Sequence, residues 1–227
     1  EVLARIVDDL DLSQENFKFM MWKDGHVCGG IPARIFRISF SGELSFEINV
    51  PAAYGAHVWQ AVMDAGEEYG ICAYGTEVMH LLRAEKGLII IGQETDGSDT
   101  PQDLGMDWSV SDKKDFVGKR SLSQSGLAAP DRKQLVGLLP DDKSVVLEEG
   151  AQILDRSAGS KPPVPMLGHV TSSYYSPVMK TVFALAMLKG GLKHENEIMQ
   201  VDQGAKRIPV KVVKPFFYDP DGEKLRS

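Results

Sequence analysis

Apolar and polar residues alternate over residues 38–50, which is the period of a β-strand with one buried face. The alternation is interrupted at Ser41-Gly42, a dipeptide typical of turns, and then resumes in the same phase. The apolar positions are Ile38, Phe40, Leu44, Phe46, Ile48 and Val50. The segment therefore predicts a β-hairpin with one face in the core.

Elsewhere in the first half of the chain, apolar residues recur at helical spacing in three segments. Helices are predicted from residue 1 to about Asp9, from Pro51 to about Glu68, and from Thr76 to Gly87. Gly70 and Gly87 are suited to end the last two helices in the left-handed conformation. Shorter apolar runs predict strands at Phe17–Trp22, His26–Cys28, Ala33–Phe40 and Leu88–Ile91, with a hairpin turn at Lys23-Asp24-Gly25.

The second half of the chain is almost wholly strand-like. Small residues over Ser123–Pro130 indicate a domain boundary, so we expect one domain at 1–125 and another at 126–227. Strands are predicted at Gln134–Leu139, Gln152–Leu154, Met166–Ser172, Thr181–Leu188 and Arg207–Val213. Clusters of Gly, Pro and Asp separate them at short intervals, which favours an antiparallel β-barrel or jelly roll. The expected fold class is α+β, an α/β domain followed by this barrel.

The composition limits the functional classes. A net charge of −7 and a pI near 5.3 argue against a surface for nucleic acid or anionic membranes, which need basic patches. No apolar run approaches the roughly 20 residues that span a bilayer. Cys28 and Cys72 form no C-x-x-C pair, so neither a zinc site nor a disulfide framework is indicated, and a cytoplasmic location is expected.

Several common catalytic and nucleotide-binding motifs are absent, because the residues that could form them do not have the required spacing. Gly87–Gly92 lacks the G-x-G-x-x-G pattern, and Gly118-Lys119-Arg120 lacks the upstream glycine and the hydroxyl residue of a phosphate loop. The five histidines have no metal-ligand spacing, and no serine lies in G-x-S-x-G. The sequence therefore predicts no metal site and no FAD, NAD or ATP site of its own.

The predicted hairpin combines an aromatic ring, Phe40, with a carboxylate, Glu47. A flat heterocycle rich in N–H groups, such as a pterin, can stack on the ring and donate to the carboxylate, which only accepts hydrogen bonds. A glutamate on an exposed strand face is, by itself, more often a solvated charge.

The pattern R-x-x-[YF]-[ST]-G-E-x-x-x-E-[IL]-x-V-P over Arg37–Pro51 resembles the folate-site hairpin of the aminomethyltransferase family, the glycine-cleavage T-proteins. The resemblance implies that Glu47 holds the pterin of tetrahydrofolate beside Phe40, where the family usually has Tyr. Further segments that resemble the family are Thr100–Trp108, Phe116–Lys119 and Gly168–Pro177.

The start of the chain bears on catalysis. The sequence begins without Met, directly in an amphipathic pattern, so we expect an excised fragment that is inactive in isolation. The family's catalytic Asp would lie upstream of residue 1, and the catalytic residue is therefore unknown.

Three more residues are candidate folate contacts by resemblance. Arg83 matches the second arginine of the family, in R-x-E-x-G, although a structural ion pair with Glu85 or with a neighbouring strand is the favoured interpretation. Tyr218 lies a few residues from the position of the family's carboxy-terminal Tyr. Tyr174 is a candidate that can equally be an aromatic residue at the barrel edge.

Three stretches, Phe40–Ser45, Leu82–Gly97 and Val213–Gly222, are most similar to the α subunits of heterotetrameric sarcosine oxidases. This resemblance implies oxidative demethylation of sarcosine to glycine, with the one-carbon unit captured as 5,10-methylenetetrahydrofolate and hydrogen peroxide formed. Tetrahydrofolate would bind here, whereas FAD, FMN and NAD would bind elsewhere in the complex. The implied partners are the other subunits, including a flavin-bearing β subunit, with no nucleic acid and no membrane.

Two alternatives stay open at this point. One is a piece of a glycine-cleavage T-protein or of a dimethylglycine dehydrogenase. The other is a non-catalytic module for folate binding or assembly.

Overall fold

A computed structural model describes residues 1–204 and 206–226. The chain forms two compact units, one comprising Glu1–Leu82 with the segment from Asp221 onward, the other Arg83–Pro220. Within the described residues, no helix is both long and apolar enough to cross a membrane. The domain boundary expected between residues 125 and 126 and the cytoplasmic location stay predictions.

The first unit contains a three-stranded antiparallel sheet in the order β1-β2-β3, formed by Trp22–Val27, Ile31–Phe36 and Glu47–Asn49. Side chains alternate between two faces of this sheet. Val27, Ala33 and Ile35 are buried on the inner face, where they pack with Phe17 and Val58.

The two helices predicted after the sheet are confirmed. They are α1 at Gly55–Gly66, preceded and followed by 3₁₀ turns at Ala52–Tyr54 and Glu67–Tyr69, and α2 at Thr76–Glu85, whose last three residues belong to the second unit. A short helix, α3, lies at Glu223–Arg226. Gly70 and Gly87 have φ values of 69° and 72°, as expected for glycines that end helices.

The predictions for residues 1–36 were partly wrong. The expected first helix is only a 3₁₀ turn at Leu3–Arg5. The expected turn at Lys23-Asp24-Gly25 lies inside β1, and the chain reverses instead at residues 28–30, all with positive φ. The Asp8 carboxylate accepts the N–H groups of Gly29 (3.1 Å) and Gly30 (2.8 Å), which fixes the reversal there.

Two other predicted features differ in detail. The hairpin has a longer connection than expected, because β2 ends at Phe36 and residues 37–46 form a loop before β3. Leu88–Ile91 is not a buried strand: Ile91 is 79% exposed, and the Ile90 N–H donates to the Glu94 carboxylate rather than to a neighbouring strand.

The second unit is built on a closed barrel of six antiparallel strands, in the order β4-β7-β6-β5-β8-β9. The strands are β4 Lys133–Pro140, β5 Gln152–Leu154, β6 Gly168–Ser176, β7 Thr181–Lys189, β8 Ile198–Asp202 and β9 Arg207–Val213. Five of these strands were predicted from the sequence, whereas β8 was not. The α+β class with a carboxy-terminal antiparallel barrel is confirmed.

The barrel core contains buried aliphatic side chains from every strand. Its buried members are Val136, Leu138, Leu147, Ile153, Val170, Ala184, Ala186, Leu188, Met199, Val201, Val210 and Val212. The pairing of β6 with β7 shifts register between Val170 and Ser172. Such a bulge re-aims side chains, and the consecutive residues Thr171, Ser172 and Ser173 are all buried.

Gly168, at the start of β6, lies against the backbone of β7. A Cβ atom there would be 2.1 Å from the Met187 carbonyl oxygen. We expect Gly168→Ala to destabilise the protein by about 3 kcal/mol, because the strands must separate to admit the methyl group. Denaturant unfolding measures the change. Gly126→Ala is the control, since a Cβ on Gly126 meets nothing within 4 Å, and equal stability of the two variants would contradict the prediction.

Candidate functional site

Glu47 is the first residue of β3 and pairs with Phe36 of β2. Its neighbour Ile48 packs against the core of this unit, so Glu47 and Asn49 lie on the exposed face of the strand. The Asn49 amide donates to Glu47 Oε1 over 2.9 Å. A carboxylate has roughly four acceptor positions, so Glu47 retains most of its capacity for a ligand.

Phe40 lies in the loop between β2 and β3 and is 45% exposed. The loop is ordered by local contacts. Arg37 is buried and donates from Nη1 to the Phe17 carbonyl oxygen over 2.7 Å. Ser39 Oγ accepts the Gly42 N–H over 2.9 Å. The first unit therefore presents an accessible aromatic ring and an accessible carboxylate within one strand–loop–strand segment.

Arg83 lies in the second unit and is fully buried. Its Nη1 donates to Glu94 Oε2 over 2.7 Å and to the Leu88 carbonyl over 3.1 Å, and its Nη2 donates to Ser172 Oγ over 2.7 Å. The ion-pair alternative is therefore present in the structure, although its partner is Glu94 rather than Glu85. The folate contact of Arg83 stays a prediction, and these contacts favour the structural role.

The sequence interpretation did not identify Glu94 or Ser172 as partners of Arg83. The Glu94 carboxylate also accepts the Ile90 N–H over 2.7 Å and the hydroxyl of Ser172. Both residues lie in segments that resemble the family, Leu82–Gly97 and Gly168–Pro177, but those segments do not indicate which side chains meet. The buried ion pair connects the end of α2, the loop after it, and β6.

Tyr174 is a half-buried residue of β6. Burial raises the pKa of its phenol, while the neighbouring Arg83 opposes the shift. The ring lies 6.3 Å from that of Phe183, centroid to centroid. Tyr174 is therefore a neutral phenol at pH 7, able to donate one hydrogen bond.

Tyr218 lies near the end of α2 within the second unit. Its N–H donates to the Glu85 carbonyl over 3.0 Å, and Lys86 Nζ lies 4.9 Å from the centroid of its ring. Lys86 also forms a nearly buried ion pair with Asp219, with Nζ 2.9 Å from Oδ2. Arg83, Tyr174 and Tyr218 are thus grouped around the end of α2, whereas Glu47 and Phe40 belong to the first unit.

No group of three or more His, Cys, Asp or Glu side chains that could hold a metal ion occurs in the part of the chain that the structure describes. The folate roles of Glu47, Phe40, Arg83, Tyr174 and Tyr218 stay predictions.

The Arg83–Glu94 pair generates a stability prediction. Glu94→Gln leaves the Arg83 cation buried without a counter-charge, and we expect a loss of about 3 kcal/mol in unfolding free energy. Thermal and denaturant unfolding measure it. Asp24→Asn is the matched control, because the Asp24–Arg34 pair is largely exposed and its loss should leave stability nearly unchanged. A Glu94→Gln protein as stable as the control would show that the buried pair contributes little.

Comparison with known proteins adds independent information. Residues 1–114 match the GCVT N-terminal domain, and residues 133–219 match the glycine cleavage T-protein C-terminal barrel domain. The chain is similar to the sarcosine oxidase α subunits of Corynebacterium sp. (strain U-96), at 48% identity, and of Rhizobium meliloti (strain 1021), at 40%. Each match covers 99% of this chain but only 23% of the relative.

More distant relatives include an aminomethyltransferase of Thermoanaerobacter sp. (strain X514), 28% identical over 99% of this chain and 58% of the relative. Among solved structures, the glycine cleavage system aminomethyltransferase T from Bartonella henselae has the same fold. It matches with a TM-score of 0.76 and 22% identity, covering 95% of this chain and 55% of that one. On the two domain matches, the chain belongs to the glycine cleavage T-protein family.

Proposed function

We propose that this chain is the tetrahydrofolate-binding part of a sarcosine oxidase α subunit. The observation that carries the proposal is 48% identity to such a subunit over 225 residues, against 28% to an aminomethyltransferase over a similar length. That difference favours the oxidase over a glycine-cleavage T-protein. In the proposed reaction sarcosine is demethylated oxidatively to glycine, the one-carbon unit is captured as 5,10-methylenetetrahydrofolate, and hydrogen peroxide forms.

The surroundings of Glu47 fit a folate. The amino-pyrimidine end of a pterin presents adjacent N–H groups, and an exposed carboxylate with spare acceptor capacity can take two of them side by side. Phe40 offers an accessible ring face for stacking. It lacks the hydroxyl that the family usually has at this position, so we expect stacking without a hydrogen bond from this residue.

The task proposed for these residues is positioning. Tetrahydrofolate, when bound, supplies the nitrogen nucleophile that takes up the one-carbon unit. Glu47 anchors the pterin from a strand, which holds it more precisely than a loop does. Holding the nucleophile in place and excluding water accelerates capture by proximity, without requiring proton transfer from Glu47. Arg83, Tyr174 and Tyr218 are proposed as further folate contacts, of which Arg83 has the weakest support because its terminal nitrogens donate within the protein.

The wider assembly is part of the proposal. FAD, FMN and NAD would bind elsewhere in the complex, and the partners would be the remaining sarcosine oxidase subunits, including a flavin-bearing β subunit. A non-catalytic folate-binding module is the alternative of another class. Sarcosine-dependent formation of 5,10-methylenetetrahydrofolate by the natural protein that contains this chain would distinguish the two, because such a module would bind folate without producing it.

Folate binding at Glu47 is testable by calorimetric titration of the natural protein with folinic acid. We expect Glu47→Gln to raise the dissociation constant at least about tenfold, because hydrogen bonds to a charged acceptor contribute roughly 1.5–3 kcal/mol. The matched control is Glu67→Gln, which neutralises an exposed glutamate in a 3₁₀ turn of the same unit.

The outcomes of this titration distinguish a failure of the proposed function from a failure of the Glu47 site assignment. Absence of folinic acid binding by the wild-type protein would contradict the proposed function. Binding by the wild type with equal affinity in Glu47→Gln and Glu67→Gln would leave the function standing and remove Glu47 from the site.

A further inference from the structure

The second unit contains a cleft of about 410 Å³ that the proposed function does not use. Residues from three barrel strands line it together with residues 92–96, 98, 99 and 132. The lining includes Asp96, Asp99, Arg132, Lys133, His169 and Met187. The neighbours Val170, Ala186 and Leu188 belong to the barrel core, so His169 and Met187 lie on the outer face of the wall. The volume falls within the range of small-molecule sites, roughly 300–1,000 Å³.

The walls of the cleft are held in place by internal contacts. Arg132 donates from Nη2 to the Ser98 carbonyl over 2.7 Å and to Asp103 Oδ2 over 2.6 Å. Gln93 donates to the Thr171 carbonyl over 3.1 Å. The adjacent Glu94 is fixed by its buried pair with Arg83. Since Arg132 and Glu94 are neutralised by these partners, neither contributes a free charge to the cleft.

Two lining residues of the cleft, Lys133 and His169, have donors available. Lys133 Nζ lies 3.5 Å from His169 Nδ1. Burial, followed by the Lys133 charge, lowers the pKa of His169, although Asp99 and Asp96 oppose this. The imidazole is therefore neutral at pH 7. Because the Lys133 ammonium can only donate, Nδ1 accepts and the proton resides on Nε2. Lys133 and His169 thus both offer N–H groups.

Two other lining residues, Asp96 and Asp99, have acceptors available. Asp96 Oδ1 accepts the Ser98 N–H and hydroxyl, and Asp99 Oδ2 accepts the Asp96 N–H over 2.8 Å. The second oxygen of each carboxylate has no hydrogen-bond donor among residues 1–204 and 206–226. Lys133 lowers the pKa of Asp96, after the larger effect of the hydrogen bonds from Ser98, and both residues line the same cleft.

This distribution of charge selects the class of ligand. A simple anion near Lys133 would be repelled by Asp96 and Asp99. A metal ion would be repelled by Lys133, and no three-residue metal-binding group occurs within the described chain. A molecule carrying both a carboxylate and an ammonium group satisfies both the donors and the acceptors of the lining. We propose that this cleft binds a small zwitterion of the amino acid or dipeptide class, its carboxylate at Lys133 and His169 and its ammonium at Asp96 and Asp99.

Calorimetric titration of the natural protein with glycylglycine tests the proposal, with acetate and ethylammonium as probes of a single charge at matched ionic strength. We expect glycylglycine to bind at least about tenfold more tightly than either single-charge probe, because two ion pairs form in place of one. Lys133→Gln and Asp99→Asn should each weaken glycylglycine binding by a similar factor. Lys161→Gln and Asp112→Asn, which neutralise exposed charges outside the cleft, should not.

Three results would overturn the proposal. One is no saturable binding of glycylglycine at millimolar concentrations. Another is equal affinity for the zwitterion and for acetate. The third is an equal effect of the cleft variants and the controls, which would indicate a non-specific charge effect. Thermal unfolding checks that the variants are folded, and either cleft variant suffices if the other is not. The result is independent of folinic acid binding, since Glu47 lies outside this cleft.

Discussion

The buried ion pair of Arg83 with Glu94 is the constraint on which the second unit depends. Both side chains are fully buried, and an unpaired charge in such a position is strongly destabilising. Satisfying the pair requires the end of α2, the loop that contains Ile90, and Ser172 of β6 to meet at one point. The same requirement explains why the apolar run after α2 is not a strand, since its backbone turns to donate to Glu94. The loop then continues directly into the rim of the zwitterion cleft, so one buried pair positions both the barrel wall and the cleft.

Glu47 and Glu94 illustrate how the structure separates two kinds of carboxylate. Glu94 is 1% exposed and accepts hydrogen bonds from three groups, so its acceptor capacity serves the fold. Glu47 lies on an exposed strand face, where the Asn49 amide donates to it. The family resemblance implies that Glu47 and Arg83 are both ligand contacts, but the surroundings of these two residues differ. A group that the protein leaves partly unsatisfied is the better candidate for recognition, because its remaining hydrogen bonds are available to a ligand.

The barrel was largely predictable because its strands alternate or are continuously apolar and are separated by turn residues. β5 and β9 were predicted at their observed bounds. β8 was missed, although its buried residues Met199 and Val201 alternate with partly exposed ones. The errors near the start of the chain have a different cause, since Asp8 fixes a reversal 21 residues away, which periodicity does not record. The partners of Arg83 could not be predicted from periodicity for the same reason, because Glu94 and Ser172 lie 11 and 89 residues away along the chain.

The substitution of Phe for Tyr at position 40 is consistent with a site whose task is positioning. A phenol hydroxyl would matter most if the pterin needed a proton or a directional hydrogen bond from this residue. Replacing Tyr by Phe would then leave the pterin's hydrogen-bonding group without a partner. A stacking surface needs only the ring face, which Phe40 retains. In the proposed site, the carboxylate of Glu47 would set the orientation of the pterin about that face. Glu47 lies on β3, and the next residue of the strand packs against the core. Thus the proposed site needs one directional contact and one non-directional contact, and the segment from Arg37 to Pro51 contains both.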